Sequence, residues 1–95
     1  MPAVAAAPPP TIVLLSRPGC HLCNETREIL TDALAERARA GLTVPQVREV
    51  SIESDEALLR RHLETIPVLL VGDEELPLAI DPGAIRAFLA RTLDA

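Results

Sequence analysis

Aromatic residues are nearly absent from this chain of 95 residues, which has one Phe and neither Trp nor Tyr. A hydrophobic core must therefore be built from aliphatic side chains, and the chain offers no set of aromatic rings on which single-stranded bases could stack. Lysine is missing too, so all nine basic residues are Arg, and the formal net charge is −5. Because such an acidic chain lacks a basic stripe to neutralise phosphates, nucleic acid is not expected as a partner.

Long apolar runs are also missing. No stretch approaches the roughly 18 apolar residues that a membrane-spanning helix requires. The opening segment, residues 1–7, lacks both the cationic region and the long apolar core of a secretory signal. These absences predict no membrane partner and a cytoplasmic location.

Composition is typical of a single globular domain. Hydrophobic residues make up 48% of the chain and charged residues 24%, as in folded domains and unlike disordered chains. Residues 1–10 differ, because four of them are Pro and four are Ala, and such a segment sustains neither a helix interior nor a sheet ladder. We therefore predict a disordered or extended tail over residues 1–10 and one domain over residues 11–95.

Hydrophobic periodicity and turn residues predict seven elements in the order β-α-β-α-β-β-α. The strands are expected at 11–16, 46–52, 68–71 and 75–80, and the helices at 20–40, from a cap at 54–56 to 63, and from a cap at 81–83 to 93. The first strand is apolar on both faces, which favours a central position. The fourth contains Pro77, which favours an edge. Apolar positions of the first helix gather on one side, at Leu22, Ile29, Leu30, Ala33, Leu34 and Ala38.

The order of these elements constrains the architecture. A strand, a helix and a strand in succession form a right-handed parallel crossover, whereas two strands joined by the tight turn at Gly72-Asp73 are antiparallel. A four-stranded mixed sheet flanked by helices satisfies both conditions. The chain is therefore predicted to have an α/β fold.

The two cysteines lie close together, in the sequence Cys20-His21-Leu22-Cys23. A lone Cys-x-x-Cys pair in a reducing compartment is typical of redox or metal chemistry and not of a structural disulfide framework. The pair lies where a strand ends and a helix begins, and the free N–H groups and the dipole of the first helical turn favour a thiolate. We expect the pKa of Cys20 to lie below its ordinary value, with Arg17 and a protonated His21 acting in the same direction.

The lowered pKa expected for Cys20 makes the two cysteines unequal in reactivity. This difference predicts a thiol-disulfide oxidoreductase. Cys20 attacks a substrate disulfide as a thiolate and forms a mixed disulfide, and Cys23 then attacks the Cys20 sulfur and releases the reduced substrate. The substrate would be a protein or small-molecule disulfide. A pair of buried, inert thiols is the alternative structural interpretation.

A metal site is the second functional hypothesis. Zinc takes four N or S ligands, and the chain offers only Cys20, Cys23, His21 and His62. Since His21 lies between the cysteines, its ring would have to bend against the helix to reach the same ion. We therefore assign no metal ligands within one chain, and the alternative is a binding module that holds a metal or an iron–sulfur cluster between two chains without redox turnover. His62 is expected to be a solvated or packing residue.

Two segments of the sequence resemble the glutaredoxin branch of the thioredoxin-like superfamily. They are Leu14–Cys23 and Thr65–Leu69, and the predicted element order extends the resemblance over residues 11 to about 93. The resemblance implies a thioredoxin-like fold of the glutaredoxin type. It also implies a redox-active disulfide in which Cys20 is the nucleophile and Cys23 the resolving cysteine.

The resemblance assigns further residues around the cysteines. Ile66-Pro67 matches the cis-proline site that shapes the substrate groove, where Ile66 pairs its N–H and C=O with the substrate main chain. Arg17 could substitute for the Lys with which glutaredoxins bind glutathione. Asp81-Pro82-Gly83 stands where glutaredoxins have Gly-Gly, and Pro82 has no N–H to donate to an anion.

The differences from glutaredoxins at Arg17 and at residues 81–83 bear on the expected cofactor and partners. We expect no tightly bound cofactor. Glutathione or a donor of the thioredoxin-reductase type would supply electrons, and the protein is expected to be a monomer.

Overall fold

The computed structural model describes residues 9–94. Its strands and helices are β1 (Thr11–Ser16), α1 (His21–Arg39), β2 (Gln46–Ser51), α2 (Glu56–His62), β3 (Val68–Val71), β4 (Glu74–Leu76) and α3 (Pro82–Leu93). Residues 1–8, which make up most of the predicted tail, lie outside the described residues. Within 9–94, no helix combines the length and the apolar character needed to cross a membrane.

The four strands lie in the order β2-β1-β3-β4. β1 is parallel to β2, with Leu14 opposite Glu49 and Ser16 opposite Ser51. It is antiparallel to β3, and β3 is antiparallel to β4. The predicted order of elements and the predicted mixed four-stranded sheet are therefore confirmed.

Alternate side chains of β1 enter two separate hydrophobic clusters. Ile12 and Leu14 lie in the larger cluster, to which α1 and α3 contribute Leu30, Ala33, Leu34, Ile85, Phe88 and Leu89. Leu15 lies in the smaller cluster, against which Leu58 and Leu59 of α2 pack. Because side chains alternate across a strand, a strand that is apolar on both faces can carry a helical layer on each. The sheet thus has helices on both faces, as predicted.

The buried side of α1 differs from the predicted stripe. Leu22 and Ala38 are exposed, whereas Thr26 and Arg37 are buried. Polar side chains can occupy buried positions when they are hydrogen-bonded. Thr26 contacts two backbone carbonyls, and Arg37 donates to the carboxylate of Asp94 and to a backbone carbonyl. Periodicity alone does not reveal such partners, because they come from other elements.

Helix ends follow the predicted capping residues. The Asp55 carboxylate accepts a hydrogen bond of 2.7 Å from the N–H of Ala57, and the Asp81 carboxylate accepts one of 2.7 Å from the N–H of Ala84. Each cap of this kind stabilises a helix by about 1 kcal/mol. After α1, Gly41 has φ +73°, the left-handed conformation of a C-terminal cap.

The last strand is shorter than predicted. β4 has three residues and ends at Leu76, whereas the predicted strand continued to residue 80. It ends there because Pro77 has no N–H to donate to the sheet ladder. Residues 77–80, here called the 77–80 segment, leave the sheet and bond to the loop that precedes β3. β2 also ends one residue early, at Ser51, because Ile52 starts a short 3-10 helix.

Candidate functional site

A disulfide joins Cys20 to Cys23, whose Cα atoms are 5.2 Å apart. Cys20 is the N-cap of α1, and its Sγ accepts a hydrogen bond of 3.1 Å from the N–H of Cys23. Cys20 is half-buried, whereas Cys23 is 1% exposed. An incoming group therefore reaches Cys20 first, and it meets that sulfur at the positive end of the α1 dipole.

A tight turn brings the end of β1 to the start of α1. The N–H of Cys20 donates to the carbonyl oxygen of Arg17 at 3.2 Å. Gly19, within the turn, has φ +76°, a conformation that other residues rarely adopt. The N–H of Asn24 then donates to the carbonyl oxygen of Cys20 at 3.3 Å. This local geometry places the first cysteine at the end of the central strand.

The Ile66–Pro67 peptide bond is cis, as the resemblance implies. Pro67 is buried and Ile66 is half-buried. The N–H of Ile66 donates to the carbonyl oxygen of His62 at 3.1 Å, at the end of α2. In this structure, therefore, the N–H of Ile66, which the resemblance assigns to a substrate main chain, is paired with His62.

Hydrogen bonds connect the cis-proline loop to the first turns of α1 through the 77–80 segment. The N–H of Ala79 donates to the carbonyl oxygen of Pro67 at 2.8 Å. The hydroxyl of Thr26 lies 2.5 Å from the carbonyl oxygen of Ala79 and 3.1 Å from that of Leu22, which stands between the two cysteines. Since a hydroxyl has one proton to donate, the two carbonyls compete for it. Thr26 thus ties the 77–80 segment to the helix that carries the cysteines.

A polar cleft of about 350 Å³ opens beside Cys20, lined by Ser16, Arg17, Pro18, Gly19, Cys20, Asn24, Arg27, Glu49 and Ser51. The buried hydroxyl of Ser16 donates to Glu49 at 2.8 Å. Arg27 donates to both carboxylate oxygens of Glu49, at 2.9 and 2.6 Å, and to Asn24 at 2.6 Å. These contacts hold β1, β2 and α1 together next to Cys20.

The charges of this cleft are paired. Hydrogen bonds from Arg27, against the opposing effect of partial burial and with help from Ser16, hold the pKa of Glu49 below its ordinary value. The contact with Glu49 raises the pKa of Arg27. Arg17 donates to Glu53 from Nε and Nη2, at 3.2 and 2.9 Å. Because each guanidinium faces a carboxylate, the positive potential at Cys20 is weaker than two free arginines would produce.

The remaining candidates from the sequence lie around or outside this arrangement. His21 is exposed beside the disulfide, and His62 is a buried packing residue of α2. Over residues 9–94, no three side chains among His, Cys, Asp and Glu are placed to hold one metal ion. A groove of about 280 Å³ between α1 and α3, lined by residues such as Leu42 and Leu89, contains neither cysteine.

Sequence reasoning missed Thr26, Glu49 and the 77–80 segment. A signal for Thr26 exists, because it follows Cys23 by three residues and so lies on the same side of the helix. Glu49 becomes part of the site through the parallel pairing of β2 with β1, which composition does not reveal. Pro77 is a local signal that the strand can end, but no local pattern shows that the 77–80 segment bonds to the loop before β3.

Comparisons with known proteins agree with this geometry. Residues 11–90 match the family described as Glutaredoxin-like domain (DUF836). Protein XcR50 from X. campestris, known from an X-ray structure, is 30% identical, with a TM-score of 0.68 over 84% of this chain and 96% of that chain. Protein Ne2328 from Nitrosomonas europaea, known from solution NMR, is 24% identical, with a TM-score of 0.60 over 87% and 94%, and bears on the fold alone. No curated protein matches significantly.

The family match runs from the first residue of β1 into α3, and it includes both the cysteine pair and the cis-proline loop. The structural relatives share the thioredoxin-like arrangement of the sheet and helices. A close cysteine pair at the start of a helix in this fold supports a role in thiol redox chemistry. The chain therefore belongs to the glutaredoxin-like domain family.

Proposed function

We propose that this protein is a thiol-disulfide oxidoreductase in which Cys20 attacks and Cys23 resolves. The observation that carries the proposal is the unequal burial of two linked cysteines at the N-terminal end of α1. A nucleophile has to reach an incoming disulfide, whereas a resolving thiol has to reach only its neighbour. The half-buried Cys20 and the buried Cys23 fit these two tasks.

The proposed reaction starts from the reduced pair. The Cys20 thiolate attacks one sulfur of a substrate R–S–S–R′, the S–S bond breaks, and R′S⁻ leaves and takes a proton from water. Cys23 loses its proton to solvent and attacks the Sγ of Cys20, which forms the Cys20–Cys23 disulfide and expels RS⁻, protonated in turn. Two electrons pass from the protein to the substrate, and RSH and R′SH are the products.

The N-terminal end of α1 supports the negative charge that Cys20 carries as the attacking thiolate. In the disulfide, the N–H of Cys23 donates to the Sγ of Cys20 at 3.1 Å, and this donor would serve a thiolate on the same sulfur. The dipole of a helix of 19 residues acts in the same direction. Both effects increase the fraction of Cys20 present as thiolate and so favour Cys20 as the attacking group.

Substrate, donor and location are part of the same proposal. The carbonyl group of Ile66, beside the buried Pro67, offers a main-chain contact to a disulfide substrate, and Arg17 lines the cleft next to Cys20. Return to the dithiol requires a thiol donor, for which glutathione or a reductase of the thioredoxin-reductase type would serve, without a tightly bound cofactor. A reducing compartment such as the cytoplasm suits this electron-transfer cycle, and a monomer suffices for it.

An equilibrium redox titration tests the proposal. The protein is equilibrated in buffers of reduced and oxidised glutathione, quenched with an alkylating reagent and read by intact mass. We expect a reversible two-electron transition between a dialkylated dithiol and an unalkylated disulfide. A glutathione adduct at intermediate ratios would identify glutathione as a partner. Thiols that stay reduced throughout, or purified protein that carries a metal or cluster, would contradict the proposal and favour a binding module.

A further inference from the structure

Leu78 has a backbone conformation that leucine rarely adopts. Its φ is +49°, and among residues 9–94 it is the one residue other than glycine with a positive φ. In this left-handed region the Cβ of an L residue crowds the backbone, so the conformation is unfavourable unless the surrounding contacts impose it. Burial of the side chain does not impose it, because Leu78 is 52% exposed.

Hydrogen bonds on both sides of Leu78 impose the conformation instead. The N–H of Leu78 donates to the carbonyl oxygen of Thr65, and the N–H of Ala79 donates to that of Pro67, both at 2.8 Å. The N–H of Ile80 donates to the carbonyl oxygen of Leu78 itself, also at 2.8 Å. The carbonyl oxygen of Ala79 is in turn tied to α1. An exposed leucine is thus held in place beside the cis-proline loop.

Three exposed apolar residues, Leu22 between the cysteines and Leu78 and Ile80 in the 77–80 segment, are here called the rim. The hydroxyl of Thr26 contacts the carbonyl oxygens of Leu22 and Ala79, and so joins Leu22 to the 77–80 segment. Leu22 and Ile80 are 42% and 43% exposed, and the 77–80 segment contains no charged residue. The apolar side chains of the rim are therefore free to contact a substrate.

Groups that could bind a charged substrate lie in the polar cleft and not on this rim. Arg17 and Arg27 line the cleft, and each is paired with a glutamate. A small disulfide such as oxidised glutathione carries carboxylates close to its sulfurs, and the rim offers them no cation. A polypeptide segment with an apolar side chain would instead bury hydrocarbon against Leu78. Its main-chain N–H could donate to the carbonyl oxygen of Ile66, which accepts no hydrogen bond within residues 9–94.

We infer that Leu78 is a specificity-determining residue that selects disulfides in polypeptide segments with an apolar side chain next to the cysteine. The inference rests on the proposed function and adds the substrate class to it. Leu78 contributes contact with the substrate and no chemistry, since the exchange takes place at Cys20. Contact of this kind is equal in the bound substrate and in the transition state, so its loss changes the half-saturating substrate concentration and not the maximal rate.

Single-turnover oxidation of the reduced protein by three disulfides tests the inference. The first is a dimer of a short peptide with Leu next to its Cys, the second is the same dimer with Asp in place of that Leu, and the third is oxidised glutathione. For Leu78→Asn we expect the half-saturating concentration of the Leu peptide to rise about tenfold, equivalent to about 1.4 kcal/mol. The maximal rate and the values for the other two disulfides should be unchanged.

Thermal stability separates this role from a structural one. Asn adopts the left-handed conformation more readily than Leu, so the Tm of Leu78→Asn is expected to be no lower than that of the wild type. Leu78→Gly, which has no Cβ to strain, is a second variant with the same expected results. Leu42→Asn is the matched control, because Leu42 is 47% exposed and follows the end of α1 opposite to the cysteines, a helix of 19 residues that is about 28 Å long. This variant should leave the half-saturating concentration and the maximal rate unchanged for all three disulfides.

Several results would overturn the inference. They are an unchanged value for the Leu peptide, equal changes for all three disulfides, or a lowered Tm in both Leu78 variants that accounts for their lost activity. A wild type that reacts with none of the three disulfides overturns the proposed function and the inference together. A reactive wild type whose preference survives in Leu78→Asn overturns the inference alone.

Discussion

The hydroxyl of Thr26 lies 2.5 Å from the carbonyl oxygen of Ala79, and this contact joins the helix that carries both cysteines to the segment that pairs with the cis-proline loop. Both residues are buried, so neither polar group has water as a ready alternative partner. The position of the cis-proline loop relative to the disulfide therefore depends in part on a polar contact made in an apolar interior.

Replacing Thr26 with Val removes this hydroxyl and keeps the shape of the side chain. The carbonyl oxygen of Ala79 then stays buried without that donor, and we expect the free energy of unfolding to fall by about 2 kcal/mol. Thr26→Ser keeps the hydroxyl and removes one methyl group, so it should cost only about 1 kcal/mol. Urea unfolding measures both variants. An unchanged free energy of unfolding in Thr26→Val would show that the hydroxyl contributes nothing.

Single-cysteine variants test the assigned roles of the pair. Cys20→Ser is expected to abolish disulfide exchange, because the remaining Cys23 is buried. Cys23→Ser should still attack a disulfide but cannot resolve the product. After incubation with excess small disulfide, intact mass should show one substrate half attached to Cys23→Ser and none attached to Cys20→Ser. Full disulfide-exchange activity in Cys20→Ser would contradict the proposed mechanism.

Glu49 makes a pH-dependent contribution to stability. Its pKa is lowered in the folded protein, first by the hydrogen bonds from Arg27. The ionised carboxylate therefore stabilises the fold above the pKa of the unfolded chain, and this contribution disappears as the pH falls through the lower folded-state pKa. Because 38% of the Glu49 side chain is exposed, solvent screens the pair, and Glu49→Gln should cost only about 0.2–1 kcal/mol at neutral pH.

Urea unfolding at neutral and acidic pH measures this effect. The difference in stability between the wild type and Glu49→Gln should shrink as the pH is lowered towards about 3. Glu56→Gln is the matched control, because Glu56 and Arg60 are 3.5 Å apart with both side chains more than three-quarters exposed, and no measurable effect is expected. A difference for Glu49→Gln that is the same at both pH values would count against the assigned contribution.

The ion pair between Arg37 and Asp94 is expected to matter more than the pair between Arg86 and Glu36. The Arg37 side chain is 8% exposed and that of Arg86 is 41% exposed. Removal of the carboxylate leaves the buried guanidinium without its partner, which costs more than the loss of an exposed pair. Asp94→Asn should therefore lower the Tm further than Glu36→Gln does. Thermal unfolding followed by circular dichroism measures both, and the reverse order would contradict the argument.

Local patterns predicted the elements that carry the cysteine pair. The apolar run of β1 and the capping residues Asp55 and Asp81 act through neighbouring residues, and the structure confirms them. The prediction for the last strand was wrong beyond Leu76. The sequence after Pro77 is compatible both with a continuing strand and with a segment that leaves the sheet. Hydrogen bonds from this segment to the loop before β3 decided the outcome.

The sequence by itself determined the fold class and the kind of reactive group, because element order, capping residues and the spacing of Cys20 and Cys23 are properties of residues near each other in the chain. Only the tertiary structure decided which polar groups surround that pair. The contacts of Thr26 with Ala79 and of Arg27 with Glu49 join residues 53 and 22 positions apart. Such contacts depend on the order of strands in the sheet and on helix packing against it, which no local pattern specifies.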